Sequence, residues 1–153
     1  MSLLRWIVSE LKGPEGQVLV ASAEGTGSVV TAYLDVDDPA QQWMVMGNLY
    51  GGGFQGLFWN QESEAYLCAP DDDGPVTLCP NIDPTSMWTA AQSGNDYALR
   101  PYRNDDQNLN IAGSATQADN PIYVWSWGGG QPNEVWDIEA YEGLTARAAA
   151  GTA

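Results

Sequence analysis

Hydrophobic residues in this chain rarely recur at the three- and four-residue spacing of an amphipathic helix. They fall in short runs that alternate with polar positions, rich in Val, Ile, Tyr and Trp and cut off by Gly or Pro. The pattern predicts an all-β protein. Three stretches, residues 28–33, 73–79 and 120–125, each follow a turn and alternate with period two. Val30 and Ala32, Val76 and Leu78, and Ile122 and Val124 would then face a core, with Tyr33, Cys79 and Trp125 on the opposite side. Each stretch is preceded by a shorter one starting at Leu19, Leu67 or Leu109, and followed by a Trp that opens another strand, Trp43, Trp88 or Trp136. A further apolar stretch lies upstream of each set, around residues 6–8, 57–59 and 97–99. The three Trp residues are 45 and 48 positions apart, so the chain reads as three units of four strands, about residues 5–48, 49–93 and 94–141. A unit of that size cannot bury its own apolar face. Three of them are expected to close around a shared axis as twelve short strands with pseudo-three-fold symmetry.

The 153 residues fit one domain, expected over 1–142, with residues 143–153 as a loose tail outside the repeat. Charge removes several functions. Five Lys and Arg against 20 Asp and Glu, with no His, leave a net charge of −15, and that field repels a phosphate backbone, so nucleic acid is not an expected partner. Without His there is no Ser-His-Asp or Cys-His relay and no His-ligated zinc. The acidic turns at 71–73 and 104–106 lack the D-x-D-x-D-G spacing of a calcium loop and read as solvated surface, so no metal or other cofactor is expected. No apolar run approaches the ~18 residues that cross a bilayer. Charge at Arg5 and Glu10 interrupts the start too early for a signal peptide, so the expected location is cytoplasmic, or outside the cell by a non-classical route. A hairpin centred on Asp73-Gly74 would set Cys68 opposite Cys79 as cross-strand neighbours.

Gln41-x-Trp43, repeated more loosely at Trp88 and in Asn133-Glu134-Val135-Trp136, resembles the Q-x-W signature of the ricin B-type β-trefoil lectins, and the likeness spans roughly residues 5–141. The resemblance implies a β-trefoil and a non-catalytic lectin with a shallow sugar pocket in each repeat. An acidic or amide residue of the second strand binds two hydroxyls there, a ring from the third strand stacks on the sugar, and an Asn or Gln before the last Trp completes the set. That chemistry suits a pyranose, which has one apolar C–H face and a fringe of hydroxyls. Carried over, the first position falls on Val20, Cys68 and Asn110, and the second on Tyr33, Cys79 and Trp125. Only the third unit pairs a polar residue with a large ring. It adds Asn133, Glu134 where Gln is expected, and a second ring, Trp127, which shares the outward face of Trp125 if Ile122 and Val124 are buried. The first unit departs from the pattern at Val20, leaving Tyr33, Asp35 and Gln41 as a candidate second site of different construction.

The implied partners are glycans or glycoconjugates. The acidic surface disfavours anionic chains and favours neutral ligands of galactose or GalNAc type. One shallow pocket binds weakly, so avidity would come from a homo-oligomer or from further sites. Two other functions compete. A β-trefoil protease inhibitor would need a rigid exposed loop, and residues 47–56 are long enough but rich in glycine. A glycoside-cleaving enzyme would need two carboxylates facing each other across a cleft, and no pair in the sequence is marked for that role.

Overall fold

A computed structural model describes residues 4–25, 27–50 and 53–144. The described residues form thirteen strand segments. The first unit holds β1 (Leu4–Lys12), β2 (Val18–Ala23), β3 (Val29–Tyr33) and β4 (Trp43–Tyr50). The second holds β5 (Gly53–Asn60), β6 (Ala65–Cys68), β7 (Gly74–Pro75), β8 (Thr77–Cys79) and β9 (Trp88–Ser93). The third holds β10 (Asp96–Pro101), β11 (Gln107–Ile111), β12 (Ile122–Ser126) and β13 (Trp136–Glu139). The segments occupy the twelve expected positions, with the third strand of the second unit divided at Val76.

The first and last strands of each unit pair in a closed ring, β1–β4–β5–β9–β10–β13 and back to β1, which leaves a six-stranded antiparallel barrel. Closure removes the exposed edges that strands of this length would otherwise present. The second and third strands of each unit form hairpins, β2–β3, β6–β8 and β11–β12. These hairpins are stitched to one another by the Ser28–Thr77 and Val30–Pro121 bridges and by β7 against β12. Barrel and hairpins together make the β-trefoil.

One device recurs three times. A 3-10 turn with Pro at its start precedes each barrel-closing Trp: Pro39–Gln41 before Trp43, Pro84–Ser86 before Trp88, and Pro132–Glu134 before Trp136. The turns are capped locally. Asp38 accepts from the Ala40 N–H, and Asp83 accepts from the N–H and hydroxyl of Thr85, which hold the Asp83 carboxyl below its usual range. All three indoles are fully buried, and each Nε1–H donates to a carbonyl of its own unit's second strand: Trp43 to Ala21, Trp88 to Leu67 and Trp136 to Leu109, at 3.2, 2.9 and 3.1 Å. Ile7, Phe58 and Leu99 fill matching barrel positions, also without exposure.

These bonds fix which residues correspond, and they correct the first unit. Ala21, not Leu19, matches Leu67 and Leu109, and the ladder then matches Ala32, not Tyr33, to Cys79 and Trp125. Val29 and the fully buried Thr31 lie on the core side of β3, while Ala32 packs against a second cluster of Trp6, Val8, Val20 and Leu144. Every residue from 29 to 31 is buried, so alternation could not reveal the face.

The second unit needs a correction too. The Asp73-Gly74 hairpin turn does not form, because Gly74–Pro75 leaves the hairpin to pair with Tyr123 and Val124. The β6–β8 register is Leu67 with Leu78, which puts Thr77 opposite Cys68 and Tyr66 opposite Cys79. The cysteines are nevertheless diagonal neighbours on one face, with Cα atoms 6.0 Å apart, and they are joined as a disulfide. Residues 47–50 and 53–56 are paired strand rather than irregular loop, and 51–52 lie outside the described residues. Gly47 faces Gly56 there, where a Cβ on either would run into the backbone carbonyl of Gln55 or Met46. At the other end, Tyr141–Leu144 make a helical turn and Leu144 is buried, so part of the expected tail is packed. Residues 145–153 lie outside the described residues. None of the helices among the described residues is long and apolar enough to cross a membrane.

Trp136→Ala is expected to cost about 3–5 kcal/mol and Leu144→Ala about 2–5 kcal/mol of unfolding free energy, read from denaturant titrations. Reducing the Cys68–Cys79 bond, or replacing both residues by Ser, should lower stability by about 2–4 kcal/mol in the same assay, since the unfolded chain regains the freedom of the closed loop.

Candidate functional site

The hairpin β11–β12 turns Leu109, Ile111, Ile122 and Val124 into the core and leaves Asn108, Asn110, Tyr123 and Trp125 on the other face. Asn110 stands opposite Tyr123, and Asn108 opposite Trp125. The turn that carries Trp136 packs against this face and brings Asn133 to Asn110, its Nδ2 donating to Asn110 Oδ1 at 2.7 Å and to the Ile111 carbonyl at 3.4 Å. With those bonds made, the Asn110 Nδ2 donor and the Asn133 Oδ1 acceptor have no partner among the described residues.

Glu134 has a different task from the one the resemblance implies. It is 2% exposed, and its carboxylate is enclosed by backbone donors: the N–H of Gly128 reaches both oxygens at 2.8 and 3.1 Å, and those of Gly130 and Gln131 reach Oε2 at 2.6 and 2.9 Å. Gly129 and Gly130 stand at φ of 90° and 93°, a region that L side chains rarely adopt, and this lets consecutive amides converge on one anion. A carboxylate so saturated shapes the loop and has little capacity left for a ligand hydroxyl.

The resulting open cavity of about 530 Å³ is walled by Asn110, Tyr123, Trp125, Trp127 and Asn133, with Glu134 beneath the Gly128 loop and residues 112–114 on the far side. All five third-unit residues singled out in the sequence line it. Trp125 is 50% exposed, a large apolar ring left in solvent beside polar amides. Trp127 is half-buried, and the Arg100 guanidinium lies over it, 5.0 Å from the ring centroid. Sequence reasoning passed over Tyr123, although the alternation that sends Ile122 and Val124 inward sends Tyr123 outward with Trp125. It also passed over Arg100, whose contact with Trp127 joins β10 to the loop after β12 and leaves no local signal.

The candidate second site is drawn together around Gln41, with Tyr33 and Asp35 exposed, but through bonds to backbone that occupy the Gln41 amide. Gln41 is buried, and its amide is spent on the Tyr33 carbonyl and the Asp35 N–H, at 3.0 and 2.8 Å, so like Glu134 it braces the loop after a third strand. The Asp35 carboxylate accepts from the Asp37 N–H and closes its own turn. The Tyr33 ring lies near Gly13 in the β1–β2 connection.

The three units give corresponding positions three different treatments. In the third, they are Arg100, Asn108, Trp125 and Trp127, of which Asn108 is buried, Arg100 and Trp127 are half-buried and Trp125 is exposed. In the first, the matching Val8, Val20, Ala32 and Leu34 are apolar and join Trp6 and Leu144 in the second hydrophobic cluster. In the second, the residues matching Asn110 and Trp125 are Cys68 and Cys79, bonded to each other. Among the described residues no group of three or more His, Cys, Asp or Glu is placed to hold a metal ion.

No family model matches this chain, and no curated protein matches it. Solved structures do. A designed three-fold symmetric protein, ThreeFoil, superposes with a TM-score of 0.75 at 17% identity, covering 91% of this chain and 99% of its own. The C-half of an earthworm R-type lectin in complex with GalNAc gives 0.62 at 23% identity, covering 90% and 98%. A ricin B-like lectin of Macrolepiota procera in complex with lactose gives 0.65 at 19%, covering 89% and 94%. In some matching proteins the likeness is to one part, as this chain spans 17% of a mosquitocidal holotoxin and 30% of a Clostridium thermocellum exo-β-1,3-galactanase. At these identities the likeness is one of fold.

In Glu134→Gln one acceptor oxygen becomes a donor that faces other donors. The amides of Gly128, Gly130 and Gln131 should then exchange with solvent deuterium at least about tenfold faster, while core amides of β11 keep their rates.

Proposed function

We propose that this chain is a non-catalytic carbohydrate-binding module, a lectin domain whose working pocket is in the third unit. The observation that carries the reading is the meeting of a half-exposed Trp125 with the paired amides of Asn110 and Asn133 on one outward face. A ring offers its face to the C–H side of a pyranose, and the free amide donor and acceptor direct hydroxyls at its edge. No cation lines the pocket directly, Arg100 being stacked on Trp127, and its single carboxylate is consumed by backbone amides, which together with the net charge of −15 favours a neutral glycan of galactose or GalNAc type. Two of the fold's relatives are lectins in complex with lactose and with GalNAc, which supports the same reading. With the first unit sealed and the second cross-linked, one pocket per chain is proposed, and avidity would come from self-association or from a larger protein. The Cys68–Cys79 bond supports an oxidising compartment over the cytoplasm as the place of work.

Binding on an array of neutral glycans is the test. Trp125→Ala should abolish it with the circular dichroism spectrum unchanged, since an outward ring contributes little to the core. If Trp125→Ala and Asn110→Ala both bind as the parent does, the pocket assignment fails. Inhibition of a protease panel without any glycan binding would favour the inhibitor reading instead.

A further inference from the structure

The pocket contains one ring more than a single stacked sugar requires. Trp125 lies near the end of β12 and Trp127 in the loop that follows it, and both rings line the same cavity. The cavity, about 530 Å³, falls within the roughly 300–1,000 Å³ of pockets that enclose ligands larger than a monosaccharide.

The fold does not require a Trp at position 127. Its counterpart in the first unit is Leu34, and the counterpart of Arg100 is Val8. Those two residues pack in the second hydrophobic cluster, so the backbone accommodates an ordinary apolar contact at this position. In the third unit a guanidinium covers Trp127 instead. Stacking of that kind holds a ring at a fixed angle without burying it. The Glu134 carboxylate fixes the Gly128–Gln131 backbone that follows Trp127, so the ring is held from the loop side as well.

Resting on the carbohydrate reading above, we propose that the pocket recognises a neutral oligosaccharide of at least two pyranose residues. Trp125 stacks on the residue whose hydroxyls reach Asn110 and Asn133. Trp127 stacks on its neighbour, with Arg100 as the positioning residue behind it.

The experiment is titration calorimetry of the full chain with neutral monosaccharides (galactose, GalNAc, glucose, mannose) and with the di- and trisaccharides that they terminate. The parent should bind its best oligosaccharide at least about tenfold more tightly than the terminal monosaccharide. Trp127→Ala should remove that gain and leave the monosaccharide affinity within about twofold, whereas Trp125→Ala should lose both. Trp127→Phe, which keeps a ring, should retain part of the gain and guards against a folding defect in Trp127→Ala. Arg100→Ala should weaken oligosaccharide binding alone, with partial recovery in Arg100→Lys. Equal affinity for mono- and oligosaccharide, or an equal loss of both in Trp127→Ala, overturns this inference and leaves the lectin reading standing. Absence of binding to any saccharide overturns both.

Discussion

The hydrogen bond from a buried indole to the carbonyl of its own unit's second strand is the constraint on which the rest of this structure depends. A fully buried Trp with an unpaired N–H would forfeit much of what its burial contributes. Here the bond is made three times, to Ala21, Leu67 and Leu109, and each time it locks a barrel strand to a hairpin at one register. Once those registers are set, strand alternation fixes which residues of each hairpin face away from the core. Trp125 stands on the solvent face because Trp136 holds Leu109 beneath it.

A frame repeated three times leaves the surface of each unit free to diverge, and the divergence separates the pocket from its counterparts. Apolar residues at 8, 20, 32 and 34 draw in Leu144 and turn one flank into core. Two cysteines convert the second into a cross-link. In the third, a cavity lies between the amides of Asn110 and Asn133 and the rings of Trp125 and Trp127. The barrel and the Trp registers are common to the three units, so the difference lies in the side chains and loops set upon them.

Glu134 illustrates how one residue in a repeated motif changes its meaning with context. Its counterpart Gln41 has one acceptor and one donor, and it meets one N–H and one carbonyl. The third loop presents N–H groups alone, and a carboxylate with two acceptor oxygens is the side chain that satisfies them. The departure of the third unit from Q-x-W is therefore the signature of a loop of converging amides beside the pocket.

Much of this was legible in the sequence, because period-two alternation, Gly and Pro punctuation and the Trp spacing are local properties that survive without tertiary information. They determined the all-β class, the three units and the buried Trp43, Trp88 and Trp136; the meeting of Asn110, Trp125, Trp127 and Asn133 was legible through the family resemblance, and the outward face of Trp125 also through the polar–apolar alternation of its strand. Tertiary structure decided what local pattern cannot encode. The first unit's hairpin is buried on both faces, so its hydrophobic run carried no register, and Tyr33 and Val20 were matched to the wrong partners. Gly74–Pro75 preferred a neighbouring hairpin's edge to its own turn, which moved the cysteine ladder by two residues while still leaving the sulfurs within reach. The closing of the first flank by Leu144 and the stacking of Arg100 on Trp127 are contacts between segments far apart in the chain. Such contacts come into being only once the barrel has closed and the packing of its neighbours fixes where each side chain lies.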